Sequence, residues 1–446
     1  MFQADIEKIY KIFLESEGIS TDTRQLKAKQ LFWALKGENF DGNEFVEQAL
    51  ANGAVCAVTE NKKYIGNSQF FYTPNSLQLL QKLAAFHRKK LNLPIIAITG
   101  TNGKTTTKEL THRVLLQKYK VKATYGNLNN HIGVPLTLLR FSTDTEIGIV
   151  EMGANHPGEI QELCEIAKPD FGIITNVGKA HLDGFGNFET LLNTKTALYR
   201  TLKKKGCIFL PINNRILTNA SGKQNVITYG TNPRANVPGK LLQSFPSVSF
   251  SFQNSDNQTF TINSKLPGSY NFENLLAATC IGLHFKVPPK DIKNALEAYT
   301  PSNNRSQVVD YPHGKIILDA YNANPTSMQK ALESFFEIPA KTKIVFCGDM
   351  FELGKYAEEE HKNILNKLLQ QNQENKYKSV FLSGKNFRQA SQSFELPNNF
   401  HVFETTAEVL SHIQPEELQA DYLLIKGSRG MQMEQIARKL TQKQDL

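Results

Sequence analysis

The sequence has few cysteines and no long run of apolar residues. Its five cysteines are odd in number, lie far apart and form no C-x-x-C pair, so neither a disulfide framework nor a cysteine zinc site is indicated. No stretch approaches the roughly 18 apolar residues that a membrane helix needs. Two acids stand among the first eight residues, where a signal peptide would carry positive charge. These absences predict a cytoplasmic protein without a membrane span. The cysteines are Cys56, Cys164, Cys207, Cys280 and Cys347.

The chain also lacks a concentrated patch of positive charge. Its 51 lysines and arginines against 42 acids give a net charge of +9, but the densest basic runs, 88–90 and 203–205, hold three residues each and no aromatic residue. Nucleic-acid-binding proteins usually concentrate their charge on one element, so no nucleic-acid partner is expected. Basic residues dispersed around a cleft could instead attract small polyanionic substrates.

What the sequence does contain is ordinary globular composition, with 40% hydrophobic and 21% charged residues in 446. That length favours about three domains. We predict a first domain at 1–88, a central domain at 89–312 and a C-terminal domain at 313–446, with residues 86–94 as a linker. A monomer is expected.

The fold class is predicted as α/β, because strand-like runs alternate with helical stretches as in a parallel sheet with crossover helices. The central sheet is expected to include a small antiparallel excursion. The C-terminal domain is expected to be Rossmann-like but has no G-x-G-x-x-G, so it gives little support to dinucleotide binding. Predicted strands cover 95–99, 146–152, 171–177, 206–210, 248–252, 260–262, 315–319, 343–349, 378–383 and 421–426, and predicted helices include 105–119 and 326–337.

The strongest chemical signal is a glycine loop between the strand at 95–99 and the helix after it. This order of elements places backbone N–H groups and the positive end of a helix around a polyphosphate. Lys104 would neutralise phosphate charge and the Thr105 hydroxyl would reach Mg²⁺. The pattern G-x-x-G-K-T is a variant of the common phosphate loop, and it predicts ATP binding. The loop reads Gly100, Thr101, Asn102, Gly103, Lys104, Thr105 and Thr106.

Polar residues also stand where two neighbouring strands are expected to end. Ligands of open parallel sheets bind outside the carboxyl ends of the strands. Glu151 and His181 are there, and a carboxylate with an imidazole could ligate Mg²⁺ beside the phosphate loop. Each alone could equally be a solvated or structural side chain. By composition, Lys195 would be an ordinary exposed helix lysine.

Taken together, several segments resemble the Mur ligases of bacterial cell-wall synthesis. Within that family, Gly-Asn-Leu-Asn-Asn (126–130), Tyr-Asn-Ala-Asn-Pro (321–325) and Gly-Asp-Met-Phe-Glu-Leu-Gly (348–354) resemble the member that adds D-alanyl-D-alanine. The resembling segments run in family order and are 21–24, 31–42, 99–106, 126–136, 151–159, 175–186, 266–274, 319–325, 348–354 and 426–430.

The resemblance implies an ATP- and Mg²⁺-dependent, ADP-forming amide ligase. D-alanyl-D-alanine would be joined to UDP-N-acetylmuramoyl-tripeptide through an acyl phosphate, for peptidoglycan synthesis. By the same resemblance, Lys104 and Thr105 hold ATP and Mg²⁺, Glu151 and His181 hold the metal, and Lys195 is carbamylated as a further metal ligand.

Other residues receive roles from the resemblance alone. Arg305 matches an arginine that contacts phosphate, Asp319 a carboxylate at the ribose, and Asn271 or Asn274 lies near the adenine. The uridine-diphosphate region is matched by Asp22, Thr23, Glu38, Asn39 and Phe40, and the muramoyl-peptide region by Asn129 and Asn130. For the residues of both these regions, the alternative is that their side chains only satisfy backbone groups of local turns.

Three other functions stay open from the residues. One is another amide ligase of the superfamily that adds a single amino acid, of the muramoyl-peptide or folylpolyglutamate type. A second is a phosphate-loop switch or motor, which would hydrolyse ATP without an amine acceptor. A third is a non-catalytic protein that binds a UDP-sugar. For a ligase, we expect the outer domains to close on the central one when substrates bind.

Overall fold

The structure is a computed structural model that describes residues 2–442 except 39, 203–205, 302–303 and 375. Its strands form three sheets of four, nine and six strands. Parallel pairing dominates all three, and helices connect successive strands. The predicted α/β class is therefore confirmed. Below, the first, central and third units are the four-, nine- and six-stranded sheets with the helices that pack on them.

The first unit is a small parallel sheet in the order β1-β2-β3-β4. Its two inner strands are completely buried, which explains why they consist of apolar residues without alternation. The strands are β1 Ile19–Ser20, β2 Leu31–Trp33, β3 Cys56–Thr59 and β4 Phe70–Tyr72, and the helices are α1 Phe2–Glu15, α2 Val46–Ala51 and α3 Ser76–Leu91.

The central sheet has the order β13-β12-β11-β10-β9-β8-β5-β7-β6. Pairing is parallel from β6 to β11 and antiparallel for β11-β12 and β12-β13, so the predicted antiparallel excursion is confirmed. Its strands are β5 Ile95–Thr99, β6 Val121–Ala123, β7 Ile147–Glu151, β8 Phe171–Ile174, β9 Cys207–Pro211, β10 Asn225–Gly230, β11 Val237–Gln243, β12 Ser249–Gln253 and β13 Thr259–Asn263. Its helices are α4 Lys104–Leu115, α5 Gly133–Leu139, α6 Glu159–Ala167, α7 Leu182–Phe185, α8 Phe188–Thr201, α9 Arg215–Ser221, α10 Tyr270–His284 and α11 Pro289–Ala298.

The third unit has the order β14-β15-β19-β16-β17-β18, with only β14 antiparallel to its neighbour. A capping box starts α12, because the Asn324 side chain accepts from the Ser327 N–H and Ser327 bonds back to Asn324. The strands are β14 Gln307–Tyr311, β15 Gly314–Asp319, β16 Lys343–Gly348, β17 Ser379–Ser383, β18 Phe400–Phe403 and β19 Tyr422–Lys426. The helices are α12 Pro325–Phe336, α13 Ala357–Gln373, α14 Lys385–Ser391, α15 Thr406–His412 and α16 Glu434–Thr441.

The interpretation of 86–94 as a linker is wrong. Residues 86–91 are the last turns of α3, which packs on α5 and α6 of the central unit. His87 and Arg88 are buried there, so these polar residues serve an interface and not an exposed connection. The predicted limit at 88 falls inside this helix, and β14 precedes the predicted limit at 312 while pairing with the third sheet. The domain limits stay predictions.

One apolar core joins the first and central units, whereas the third unit has cores largely of its own. The shared cluster includes Ile9 and Trp33 from the first unit together with Leu138 and Met152 from the central unit. Among the described residues, no helix is long and apolar enough to cross a membrane.

Candidate active site

The phosphate loop adopts a conformation that depends on its two glycines. Gly100 has φ +145°, and a Cβ there would lie 2.0 Å from Thr175 Oγ1. Gly103 has φ +77° at the start of α4, and a Cβ there would lie 2.5 Å from Asn274 Oδ1. Only glycine fits both the backbone angles and the close approach. The loop is therefore held open at the N-terminus of α4, where an anion is stabilised.

Two lysines converge on one carbonyl oxygen under this loop. Lys104 Nζ donates to the O atoms of Gly100 and Thr101 at 2.8 and 3.0 Å. Lys195, on α8, is 1% exposed and its Nζ donates to the same Gly100 O at 3.1 Å. Desolvation lowers the pKa of Lys104. Desolvation, followed by the charge of Lys104, lowers the pKa of Lys195 well below that of a free lysine. Lys195 is not the exposed helix lysine that composition alone suggests.

Glu151 ends β7 beside the loop and is 1% exposed. Its Oε1 accepts from Thr105 Oγ1 at 3.1 Å and from Asn129 Nδ2 at 2.8 Å. Its Oε2 has no hydrogen-bond partner within the part of the chain that the structure describes. A buried carboxylate oxygen without a partner is costly unless a ligand satisfies it. This oxygen and the Thr105 hydroxyl beside it fit a hard divalent cation such as Mg²⁺.

His181 lies just before α7 with φ +50°, a backbone conformation that is uncommon for this residue type. Its Nδ1 is 2.5 Å from Glu352 Oε2 of the third unit, an ion-pair distance at which the ring is not aligned for a hydrogen bond. Proximity to His181 lowers the pKa of the Glu352 carboxyl. Across the described ranges, no three His, Cys, Asp or Glu side chains cluster as a metal site. A cation here would therefore depend on hydroxyl and phosphate oxygens as well, as Mg²⁺ at nucleotides commonly does.

The third unit contributes charged and aromatic side chains opposite the loop. At the end of β15, Asp319 Oδ2 accepts from Lys426 Nζ at 2.6 Å and Oδ1 accepts from the Ser306 N–H at 3.3 Å. The guanidinium carbon of Arg305 lies 3.6 Å from the centre of the Tyr321 ring. These contacts fix Asp319 and Arg305 in orientation.

The two asparagines at the start of α10 form a buried chain of hydrogen bonds. Asn271 Nδ2 donates to the Pro267 O atom at 2.8 Å, and Asn274 Nδ2 donates to Asn271 Oδ1 at 3.0 Å. Thr107 Oγ1 in turn donates to Asn274 Oδ1 at 3.2 Å. This chain supports the back of the phosphate loop.

Most of the predicted site residues surround one cleft of about 570 Å³. Gly100 and Lys195 lie beneath its surface and do not line it. Asn130 is part of the wall, but its Oδ1 also accepts from the Ile132 and Gly133 N–H groups and so shapes the turn into α5. The predicted residues that line the cleft are Thr101, Asn102, Gly103, Lys104, Thr105, Thr106, Asn129, Asn130, Glu151, His181, Asn271, Asn274, Arg305 and Asp319.

A larger cleft of about 1510 Å³ opens beside the first and is lined by all three units. Four residues line both clefts and mark the passage between them, namely Thr105, Asn127, Arg305 and Tyr321. A group bound at the phosphate loop is therefore accessible from the larger cleft.

The predicted uridine-diphosphate residues are not brought to either cleft. The Asp22 carboxylate binds Arg24, with Oδ2 2.8 Å from the guanidinium, as in the local turn alternative. Phe40 is 51% exposed and stacks on Phe45 at 5.3 Å between ring centres. Thr23 and Glu38 also line neither cleft. Asn39 lies outside the described residues.

Several residues that contact predicted site residues are not themselves among the predicted site residues. Asn324 exchanges two hydrogen bonds with Asn102 across the central and third units, at 2.8 and 3.3 Å. Glu352, Tyr321 and Lys426 meet site residues as described above. All four lie in segments on which the family resemblance rests, but no spacing rule assigns them a contact.

Family models match nearly the whole chain in three parts. The Mur ligase family, catalytic domain, matches residues 15–90; the Mur ligase middle domain matches 98–282; and the Mur ligase, glutamate ligase domain, matches 304–429. The UDP-N-acetylmuramoyl-tripeptide--D-alanyl-D-alanine ligase of Bacillus subtilis (strain 168) is 35% identical over 433 residues, which cover 95% of this chain and 93% of the relative.

Solved structures agree along the whole chain. MurF from Acinetobacter baumannii superimposes with a TM-score of 0.85 at 28% identity and covers 98% of each chain. MurF from Thermotoga maritima in complex with ADP gives a TM-score of 0.82 at 25% identity and covers 96% of this chain and 98% of the other. From these family, sequence and structure matches, we conclude that the chain belongs to the Mur ligase family.

Proposed function

We propose that this protein joins D-alanyl-D-alanine to UDP-N-acetylmuramoyl-tripeptide and converts ATP to ADP and phosphate. The observation that carries the proposal is the phosphate loop, with Lys104 and the partnerless Glu151 oxygen beside it, at the passage into a second cleft large enough for other substrates. The B. subtilis relative bears the name of this activity. A ligase for a single amino acid remains the alternative.

The reaction needs two steps because a carboxylate has no adequate leaving group. In the first, a carboxylate oxygen of the tripeptide bonds to the γ-phosphorus while the bond to ADP breaks. In the second, the dipeptide amine bonds to the acyl carbon, loses a proton, and phosphate leaves. Both steps bring anions together, so cationic and polar groups must offset their repulsion. Lys104 in the phosphate loop and Arg305 at the passage between the clefts would do so.

Thr105, Glu151 and His181 would hold Mg²⁺. Bound Mg²⁺ supplies positive charge beside the phosphates. The Thr105 hydroxyl already contacts Glu151 and can turn its lone pairs outward, while the Lys104 ammonium remains close to the loop carbonyls. These side chains would hold the γ-phosphate and the metal charge together at the phosphate loop.

Lys195 would act as a carbamate. Desolvation and the charge of Lys104 lower the pKa of Lys195, which favours the neutral amine that carbamylation needs. The nitrogen lone pair would bond to the carbon of CO₂ and one N–H proton would pass to water, which leaves an anionic carbamate. An anion next to Lys104 would also compensate the buried positive charge of Lys104.

The remaining roles are proposed from the family alone. Asp319 would meet the ribose, Asn271 or Asn274 the adenine, and Asn129 and Asn130 the muramoyl peptide. The uridine diphosphate would be bound by Asp22, Thr23, Glu38, Asn39 and Phe40. Because both substrates are nucleotides of the cell interior, we propose that the protein acts in the cytoplasm, as a monomer.

The test is phosphate release from ATP with UDP-muramoyl-tripeptide and D-alanyl-D-alanine, followed by mass spectrometry of the product. We expect one phosphate for each pentapeptide product. Release with a free amino acid but not with the dipeptide would favour the alternative ligase. Release without any acceptor would favour a phosphate-loop switch.

A further inference from the structure

Two arginines of the third unit pack on the ring of Tyr321. The guanidinium carbons of Arg305 and Arg429 lie 3.6 and 5.0 Å from the ring centre. Among the residues that the structure describes, neither guanidinium has a carboxylate partner at ion-pair distance. Two cations held close together without an acid raise the local positive potential, and an anion bound between or beside them lowers it. The arrangement is therefore a site for a carboxylate or phosphate.

The positions of the two arginines differ in one respect. Arg305 lines both clefts, but Arg429 lines only the larger one. An anion at Arg429 is therefore on the far side of the passage from ATP. The second substrate must approach the acyl phosphate from that side, because the nucleotide and the phosphate loop occupy the other.

Arg429 sits on a well-fixed turn. It follows β19 in the 3-10 turn Arg429–Met431. The preceding Ser428 is buried, and its Oγ accepts from the Phe351 N–H at 2.9 Å. Lys426, two residues earlier again, is held by Asp319. The backbone that carries the Arg429 guanidinium is thus anchored, and the side chain itself is exposed to the cleft.

We propose that Arg429 binds the terminal carboxylate of the incoming dipeptide and that Tyr321 sets its distance from Arg305. This rests on the proposed function. The two guanidiniums can be separated by no more than the sum of their distances to the ring centre. An extended dipeptide spans roughly 7 Å, which fits within that limit. Its carboxylate would lie at Arg429 and its amine near the phosphate that Arg305 contacts.

The experiment compares D-alanyl-D-alanine with its C-terminal amide, which lacks the negative charge. In the unmodified protein, we expect KM for the amide to exceed KM for the dipeptide by roughly 10- to 100-fold, the effect of one charge-assisted hydrogen-bonded pair. In Arg429→Gln, KM for the dipeptide should rise to that of the amide. KM for ATP should not change, and Arg429→Lys should recover part of the discrimination.

Arg438→Gln is the matched control, because Arg438 is an exposed arginine that lines the same cleft but does not contact Tyr321. If Arg438→Gln loses the discrimination between dipeptide and amide as much as Arg429→Gln does, the effect comes from the general charge of the cleft and the proposed site is wrong. Unchanged discrimination in Arg429→Gln would also overturn the proposal. Both outcomes presuppose turnover by the unmodified protein, so they are distinct from a failure of the proposed function. If Arg429→Gln does not fold, Arg429→Lys decides alone. The proposal would be contradicted if Arg429→Lys kept the full ratio of KM for the amide to KM for the dipeptide that the unmodified protein shows.

Discussion

The central unit meets its two neighbours through interfaces of opposite character. Toward the first unit, the interface is apolar and the buried charge in it is matched. Arg88 Nε donates to the Ala167 O atom at 3.0 Å, and Nη2 contacts Asp170 Oδ2 at 2.7 Å. The same Asp170 oxygen accepts from the Ile95 N–H, at the start of β5. Helix α3 is thereby fastened to the N-terminal end of β5, the strand whose other end leads into the phosphate loop.

Toward the third unit, Leu182 and Phe245 make apolar contacts at the edge of its core, but the contacts beside the open cleft are polar. They include the Asn102–Asn324 pair, the His181–Glu352 contact and an ion pair between Lys179 Nζ and Glu360 Oε1 at 2.7 Å. Polar interfaces between domains hold less tightly than shared apolar cores. We infer that the first and central units move as one body and that the third unit supplies most of the expected closure. Arg305 and Arg429, for which the described residues include no carboxylate at ion-pair distance, lie on this side of the molecule, where substrates would supply one.

The largest effect that we expect is a loss of stability when Arg88, the buried charge at the first interface, is removed. Arg88→Ala would remove a buried guanidinium, which is bonded to the half-buried Asp170 carboxylate and to the Ala167 O atom, and this should cost about 3 kcal/mol of unfolding free energy, the low end for a broken buried ion pair. Chemical denaturation should show this loss, while KM for ATP in the folded variant stays near its original value. Lys89→Ala is the control, because its side chain is exposed on the same helix. Equal stability of the two variants would mean that Arg88 does not fasten the first unit.

Lys195 provides the opposite case, a buried amine for which the described residues include no acid at ion-pair distance. Lys195→Ala should lower kcat by roughly 100- to 1,000-fold, as expected when one electrostatic group is removed from an active site. Added acetate or a similar small carboxylate should restore part of the activity. Full activity without such an addition would contradict the carbamate role.

The stability of the same site should depend on pH in a defined direction. The pKa of Lys195 is lowered in the folded protein, so between that pKa and about 10.5 the unfolded chain binds a proton that the folded protein does not. This group therefore opposes folding near neutral pH, and stability rises as pH increases through that range. In CO₂-free buffer, Lys195→Met should be more stable at pH 7 and should lose this rise. Identical pH profiles for both proteins would exclude an uncompensated charge at Lys195.

The two interfaces also show what the sequence could predict. The glycine loop and its strand were predictable, because Gly100 and Gly103 satisfy a backbone geometry that few other sequences need. Strand β10 was not predicted, since its first residues are exposed and lack apolar alternation. The burial of Arg88 was missed because a basic helix end reads as solvent-exposed until its acceptors on α6 are known. The contact of Glu352 could not be assigned, because it forms only when separate units meet in space, and the contact of Arg429 could not be assigned, because Tyr321 follows a different strand of the third sheet.

Glu352 tests whether the polar interface completes the site. Its carboxylate contacts His181 from the third unit, so it can orient the imidazole that we propose as a metal ligand. Partners of metal ligands typically affect metal affinity by 10–100-fold, and at a partly exposed contact we expect about 10-fold. Glu352→Gln should raise the Mg²⁺ concentration needed for half-maximal activity and weaken Mn²⁺ binding measured by electron paramagnetic resonance. Glu395→Gln, an exposed acid of the same unit, should change neither.

The smallest effect should come from Lys179, whose ion pair with Glu360 crosses the same interface. The Lys179 side chain is 55% exposed, so the pair contributes less than about 1 kcal/mol to stability. Because the pair bridges the central and third units beside the cleft, even this small contribution can shift the balance between open and closed arrangements. Small-angle scattering of Lys179→Ala without ligands should therefore give a larger radius of gyration, while ATP and UDP-muramoyl-tripeptide should restore the original value. If Arg88→Ala instead gave the larger change at equal folded fraction, the first unit would be the mobile one and the inferred asymmetry between the interfaces would be reversed.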